Sequence, residues 1–512
     1  MPSNPVLPGF HPDPSVCRVD ETFYLATSSF EYFPGLPLYR SENLVDWEPV
    51  GHALTRESQL DTREARISGG IFAPTLRHHD GTFSLTSTNT SGGGHFVVTA
   101  DDPAGEWSEP TYVDAPGIDP DLFFAGDTCY FTYFTTDDDR RIEQAEIDLE
   151  TGALGEQRTV WTGYQDPNAE APHLYERDGQ YYLVVAEGGT HTGHSVMVGR
   201  SDEPTGPFES HPENPVLTHR EDFHHDVHAT GHADFVTDAD GNWWLVCLGI
   251  RPRGGFPGWH HLGRETFLAP VAWEDGWPVV ADGEVPGAVD ADALPGGGQA
   301  ADGPDSRASP DPVEHTDTDF SDGRTHEWQY RRTPDRDRYA FTDDGLVLWG
   351  GPETLDDPGT TFLCRRQTNF DCRIRADLAF DPEPGEEAGL ALVMDEQHHY
   401  EVGIVGGAGG DIDGGSDADA AVVRVTVGDA TRELAREPVG ERTTLGVDAA
   451  AETYEFRVDG EAVAEARPKY LSTEVAGGFT GVMVGPYAVA DDGPAEGTPA
   501  RVERFVYEPG AR

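Results

Sequence analysis

Two carboxylates and an imidazole recur at one position of an internal repeat, and a third carboxylate marks a second position. With 93 acidic residues in a chain of 512, an acid means little by itself, so its place in the repeat is what selects it. The first position reads Asp13, Ala73, Asp119, Ala171 and His232; the second, at the end of the strand that follows, reads Ser29, Asn89, Thr135, Glu187 and Gly249. If the repeats surround an axis, Asp13, Asp119, Glu187 and His232 converge on one mouth of a channel, and two alanines leave space between them. Two carboxylates flanking a space of sugar size are what glycoside hydrolysis needs: one stays ionised to activate water, and the other holds a proton for the leaving oxygen. Burial and negative neighbours raise a carboxyl pKa, so a third carboxylate can tune the acid without touching the bond that breaks. The plainer reading, aspartates capping turns ahead of proline, explains any one of them more easily than all three together.

The elements that must position these groups are short and β-like. Five openings (Asp13-Pro-Ser-Val, Ala73-Pro-Thr-Leu, Asp119-Pro-Asp-Leu, Ala171-Pro-His-Leu, His232-Ala-Asp-Phe) are spaced 46 to 61 residues apart. Each leads through a charged turn into an aromatic strand, such as Gln180-Tyr-Tyr-Leu-Val-Val-Ala-Glu or Asn242-Trp-Trp-Leu-Val-Cys-Leu-Gly. All-β units of about 40–60 residues are the mark of propeller blades, and strands apolar on both faces suit sheets packed between neighbours. Residues 1–290 are therefore expected to form a five-bladed β-propeller. Residues 291–315, rich in Pro, Gly, Ala and Asp, read as a linker, and the alternating runs of 316–512 read as a β-sandwich. The stretch from Gly406 to Asp419 has no helix after it and many carboxylates, so a hairpin loop fits it better than a phosphate cradle.

Composition excludes several classes. Hydrophobic residues at 37% and aromatics at 10% are enough to fill real cores, against general disorder. Lys+Arg is 35 against Asp+Glu 93, a net charge of −58 that repels nucleic acid and anionic membranes. That charge resembles the composition of cytosolic proteins from salt-loving archaea, and strong salt would screen its self-repulsion. No apolar run approaches the roughly 20 residues of a membrane helix. The N-terminus lacks the pattern of a secretion signal, and five scattered cysteines form no CxxC pair, so a cytoplasmic location is expected. A homo-oligomer is compatible with the sequence. His224-His225-Asp226-Val-His228 reads as a surface loop rather than a zinc site.

Several ordered motifs resemble glycoside hydrolase family 43, in the branch of two-domain β-xylosidases with a C-terminal lectin-like, concanavalin A-like sandwich. They are Asn4-Pro-Val-Leu-Pro-Gly-Phe-His-Pro-Asp13-Pro-Ser, Ser28-Ser-Phe30-Glu-Tyr-Phe-Pro-Gly, Ile118-Asp119-Pro, Glu170-Ala-Pro-His-Leu-Tyr, Ala186-Glu187-Gly-Gly-Thr, Gly231-His232-Ala and Leu262-Gly-Arg264-Glu-Thr. The resemblance implies an inverting mechanism with Asp13 as general base, Glu187 as general acid and Asp119 as the residue that raises and orients the acid. It implies further that Arg264 binds sugar hydroxyls and that Phe30 walls the terminal sugar. Phe72 stands where the family has tryptophan, which leaves a smaller stacking face. Glu170 either contacts substrate or bonds backbone donors. His232 bonds the carboxylates, holds a structural calcium through water, or fills the axis; no cofactor is otherwise required. Phe479, in Gly478-Phe-Thr-Gly, either closes the pocket from the second domain or packs in the sandwich core. The implied activity is release of terminal xylose from β-1,4-xylo-oligosaccharides, with an α-L-arabinofuranosidase and a silent sugar-binding protein as rivals.

Overall fold

In the computed structural model, which describes residues 3–165, 168–290, 293–295, 315–407, 418–491 and 497–510, the chain is all-β. Most of the expected linker, and the centre of the glycine-rich stretch after Gly406, lie outside the described residues. Five antiparallel sheets follow one another from Ser15–Val19 to Trp277–Val280, four of them four-stranded and the third five-stranded. They are the blades of a five-bladed propeller. The aromatic strands of the sequence pattern are the second strands of their blades, for example Gln180–Glu187 and Trp243–Ile250.

Their two apolar faces serve two neighbours. In Trp243–Ile250, Leu245 and Cys247 pack with Tyr182 and Val184 of the fourth blade, whereas Trp244 and Val246 pack with Phe23 and Leu25 of the first. Successive side chains of a strand point to opposite faces, so both alternating sets must be apolar. Full burial of each such side chain contributes about 1.5–3 kcal/mol. Asp80-Gly81, Asp178-Gly179 and Asp275-Gly276 join strands with positive φ at both residues, the two-residue turn whose twist matches a hairpin. The ring closes where the N-terminal segment lies along the third strand of the fifth blade: Val6 N donates to Thr266 O at 2.9 Å, and Asn4 Nδ2 to Leu268 O at 2.8 Å.

The second unit is a sandwich of two large sheets with a core that includes Ile374, Leu390, Val402, Leu445, Phe456 and Phe505. One of those sheets includes a strand from the propeller. Tyr32–Phe33 pairs with Gln329–Arg331 (Tyr330 opposite Phe33, Arg331 opposite Tyr32) and forms the edge of the sandwich sheet. Beside this junction Arg331 and Arg332 both reach Glu396, at 2.8 and 2.5 Å, next to the buried Glu31. The two units therefore share a sheet.

Candidate active site

Four of the five repeat openings share a backbone conformation, Ala73 being the exception. Asp13, Asp119, Ala171 and His232 have φ of 55°, 54°, 50° and 50°, a left-handed region that non-glycine residues seldom occupy. In the third, fourth and fifth blades the register of the first strand shifts at this point, between Ile118 and Asp121, Glu170 and His173, and Gly231 and Asp234. A bulge re-aims a side chain relative to its strand. Here it turns the opening residue toward the axis, which is how residues 46 to 61 positions apart come to meet.

Asp13 is 4% exposed and densely bonded. Arg264 Nη1 donates to its Oδ1 at 2.9 Å, Ser28 Oγ donates to its Oδ2 at 2.5 Å, and His232 Nδ1 lies 3.5 Å away. Burial alone would raise this carboxyl, but Arg264, His232 and Ser28 outweigh it and hold the group below its ordinary value. Asp119 goes the other way. Burial, then the negative charges of Glu170 and Asp13, push it well above the usual carboxylate range, against one hydrogen bond from Ala171 N at 3.2 Å. Two neighbouring aspartates are thus pulled in opposite directions. His232 is pushed down to about 4 by burial despite Asp13, so it is neutral at pH 7.

Glu187, 1% exposed, ends the second strand of the fourth blade. Its Oε1 accepts from Trp161 Nε1 at 3.2 Å and Tyr164 N at 2.6 Å, and its Oε2 accepts from Gln165 N at 2.8 Å. The aromatic wall is composite. Phe30 lies 5.2 Å from Phe72 and 5.9 Å from Phe479, and Phe72 lies 6.3 Å from Phe479, all between ring centroids. Phe479 comes from the sandwich: its N donates to Ser68 Oγ at 2.9 Å and its O accepts from Arg264 Nη2 at 3.4 Å. The Arg264 guanidinium sits 5.6 Å over Phe30 and 5.4 Å over Phe479. The loop approaches closely because Gly481 has no side chain; a Cβ there would lie 2.3 Å from Leu262 O. Glu170 stands beside Asp119 at the start of its strand, opposite Ala186.

Other site residues escaped the sequence reading. Ser28 and Thr190, which accepts from Arg264 Nη1 at 3.2 Å, lie within the quoted motifs, so their signal was present. His194 had none: it packs under Gly231, where a Cβ would meet its ring at 2.4 Å, and burial pushes it down to about 3. Trp161 follows no repeat position.

Below the carboxylates, Arg77 fills the axis. It bonds Asp234 at 2.8 Å and Asp121 at 2.9 Å, both carboxylates fully buried, and contacts His173 at 3.1 Å and Ser15 at 3.3 Å. Asp121 and Asp234, which would be the carboxylate donors for a cation there, are already neutralised by this guanidinium. The donor set therefore does not fit a calcium ion. Among the described residues no group of three or more His, Cys, Asp or Glu side chains is disposed to hold a metal. His225 and His228 instead bond backbone carbonyls, of Val227 and His225.

A propeller that gathers carboxylates with oppositely shifted pKa values at its axial mouth, with aromatic rings and an arginine fork around them and a second domain as roof, is the architecture of a carbohydrate-cleaving enzyme. Residues 2–278 match glycosyl hydrolases family 43, and residues 317–508 match the β-xylosidase C-terminal concanavalin A-like domain. The chain belongs to glycoside hydrolase family 43. It is 38% identical to a non-reducing end α-L-arabinofuranosidase of Bacteroides ovatus, over 98% of this chain and 94% of that one. It is 41% identical to a xylosidase/arabinosidase of Butyrivibrio fibrisolvens, over 79% and 80%. The crystal structure of a xylan β-1,4-xylosidase from Bacillus halodurans superposes with a TM-score of 0.88 at 31% identity, covering 99% of this chain and 100% of that one.

Proposed function

We propose that this hydrolase is an exo-acting, inverting β-1,4-xylosidase that removes terminal xylose from the non-reducing end of xylo-oligosaccharides. The observation that carries the reading is the pairing of Asp13 and Asp119 at the propeller axis with Arg264, which joins Asp13 to the Phe479 loop of the sandwich, an arrangement that favours attack at a chain end. Asp13, held below its ordinary value chiefly by Arg264 and by the Ser28 hydroxyl, takes a proton from water as its oxygen attacks the anomeric carbon. Glu187 gives its proton to the leaving oxygen on the opposite face. For that, one of its bonds to Trp161, Tyr164 or Gln165 is exchanged for the substrate. Asp119, pushed above the usual carboxylate range by burial, Glu170 and Asp13, stands beside the pair as the residue that tunes and orients the acid. Arg264, with Thr190, fixes sugar hydroxyls through its planar fork, and Phe30, Phe72 and Phe479 cover the apolar face of the ring. No step calls for a metal.

A second reading, α-L-arabinofuranosidase, is favoured by the name of the Bacteroides ovatus relative. Proton NMR of xylobiose with the enzyme, beside turnover of aryl xyloside and aryl arabinofuranoside, separates the two. Early α-xylose with faster xyloside turnover is the expected result. Early β-xylose would contradict inversion, and turnover of the arabinofuranoside alone would replace the first reading with the second.

A further inference from the structure

The segment that leads to Asp13 is held on two sides. Residues 9–11 lie along the start of the third strand of the fifth blade, Glu265–Glu274: His11 N donates to Arg264 O at 3.0 Å, and Thr266 Oγ1 donates to His11 O at 2.7 Å. The sandwich closes the other side. Arg366 Nε donates to Phe10 O at 2.5 Å, and a Cβ on Gly9 would lie 2.8 Å from Gln367 O. Between Arg264 and Thr266 stands Glu265, fully buried. Its Oε1 accepts from Gly9 N at 2.8 Å, and Arg251 forks onto both oxygens, Nε to Oε2 at 2.6 Å and Nη2 to Oε1 at 2.7 Å. The Arg251 guanidinium lies 4.9 Å over the ring of Phe370, which belongs to the sandwich. We propose that Glu265, held by Arg251, is a positioning residue for the general base, and that Phe370 ties this pair to the second domain. The inference rests on Asp13 being that base.

A buried carboxylate is costly unless donors meet its oxygens, and an ion pair within one blade would satisfy that need. Glu265 does more: one oxygen turns to the backbone of a distant segment, at Gly9, four positions before Asp13. Its neighbour Arg264 holds the Asp13 carboxylate itself, at 2.9 Å. Adjacent residues of one strand start therefore fix both the approach to the base and its head group, so a shift of Gly9 moves Asp13 against Arg264. The left-handed φ of 55° at Asp13 is a conformation that surroundings impose, which makes the residue dependent on what anchors its segment. A misplacement of about 1 Å in a catalytic group can cost about a hundredfold in rate. Arg251 carries the sandwich into the same chain of contacts, because its guanidinium meets Glu265 at its edge and Phe370 at its face.

The test is Glu265→Gln, which keeps an acceptor for Gly9 N but loses the charge that holds the Arg251 fork. Beside it stand the double variant Glu265→Gln/Arg251→Gln, which leaves no buried charge unpaired, and Arg251→Lys, which keeps the charge without the fork. Turnover is measured on whichever of nitrophenyl xyloside and nitrophenyl arabinofuranoside wild type cleaves faster, so the choice of pentose does not enter. The expected result is about a tenfold fall in kcat for Glu265→Gln and the double variant, with KM within about threefold, and a smaller fall for Arg251→Lys. The acidic limb of kcat/KM should move to higher pH. Asp13, faced by Arg264, His232, His194 and Asp119, would lose part of the Arg264 contact that holds it low. A role confined to folding would lower the melting point and leave both kcat of the folded enzyme and that limb in place, which would overturn the proposal. A cycle with Asp13→Ala separates the proposal from the reading beneath it. With the base removed, Glu265→Gln is expected to change the residual turnover by less than about twofold. A full tenfold loss there would overturn the positioning role and leave Asp13 as the base. If Asp13→Ala itself keeps activity within about tenfold of wild type, the base assignment falls and this inference falls with it.

Discussion

Asp13 and Asp119 have the same side chain, the same left-handed backbone and similar burial, yet their protonation states are pulled apart. The difference lies in what faces them. Asp13 has a guanidinium at 2.9 Å and a hydroxyl donor, whereas Asp119 has Glu170 and Asp13 as neighbours and a single amide. That asymmetry suits Asp13 to the role of base and sets Asp119 apart from it. At this scale, Glu187→Ala is expected to cost at least about tenfold more on xylobiose than on nitrophenyl xyloside, because only the poor leaving group needs the proton. Equal losses in kcat/KM would remove the acid role. Asp13→Ala is expected to lose about a hundredfold or more on both substrates. Activity within tenfold of wild type would contradict the base assignment.

The blade strands supply precision rather than chemistry. Their alternating apolar faces fix each sheet against two neighbours, so the bulged openings can hold a left-handed residue whose strain costs of order 1–3 kcal/mol. Arg77, in the first strand of the second blade, ties three further blades through Asp121, His173 and Asp234. Burial acts against its charge, but Asp234 and Asp121 outweigh it and raise the group above its ordinary value, while Asp234 is held down to about 2. Removing one member of such a set leaves buried charge uncompensated. Arg77→Met is therefore expected to destabilise the fold by about 3–5 kcal/mol in urea titration. A cost below about 1 kcal/mol would mean that Asp121 and Asp234 do not need this partner.

For the molecule as a whole, many imidazoles are buried and neutral. Burial lowers His194 and His261 to about 3 and His95 and His232 to about 4, with His11 and His52 also well below the ordinary 6.5. Below pH 6.5 the unfolded chain takes up these protons first, so stability falls as pH falls, by about 1.4 kcal/mol per pH unit for each fully titrating group. Asp119 and Glu31 act oppositely. Their folded-state values are raised, Glu31 to about 7 by burial, so they favour the folded chain at low pH and lose that contribution as pH rises. His399, raised by Asp356 and Glu401 despite its burial, sides with them. Six groups against three leave a net loss, and thermal melting should move down between pH 6.5 and 5. A melting point that rises over that interval would contradict this balance.

Much of the architecture was legible along the chain because it is periodic. The repeat spacing pointed to the blades, strands apolar on both faces to packing between neighbours, and the alternating runs of the second half to a sandwich, each a local rule that needs no knowledge of partners. Equivalent positions in a repeat meet by symmetry, so the meeting of Asp13, Asp119 and His232 follows from the repeat alone. Three features carried no such signal. Tyr32–Phe33 leaves the propeller to pair with a strand some 300 residues later, Arg77 finds two carboxylates and an imidazole in three other blades, and Trp161 and Tyr164 bond Glu187 from the end of an outer strand and the connection after it. In each case the residue's own neighbourhood looks ordinary, and its role is set by which distant groups the folded chain places within hydrogen-bond reach. That choice depends on long-range packing, which local pattern does not encode and tertiary structure alone decides.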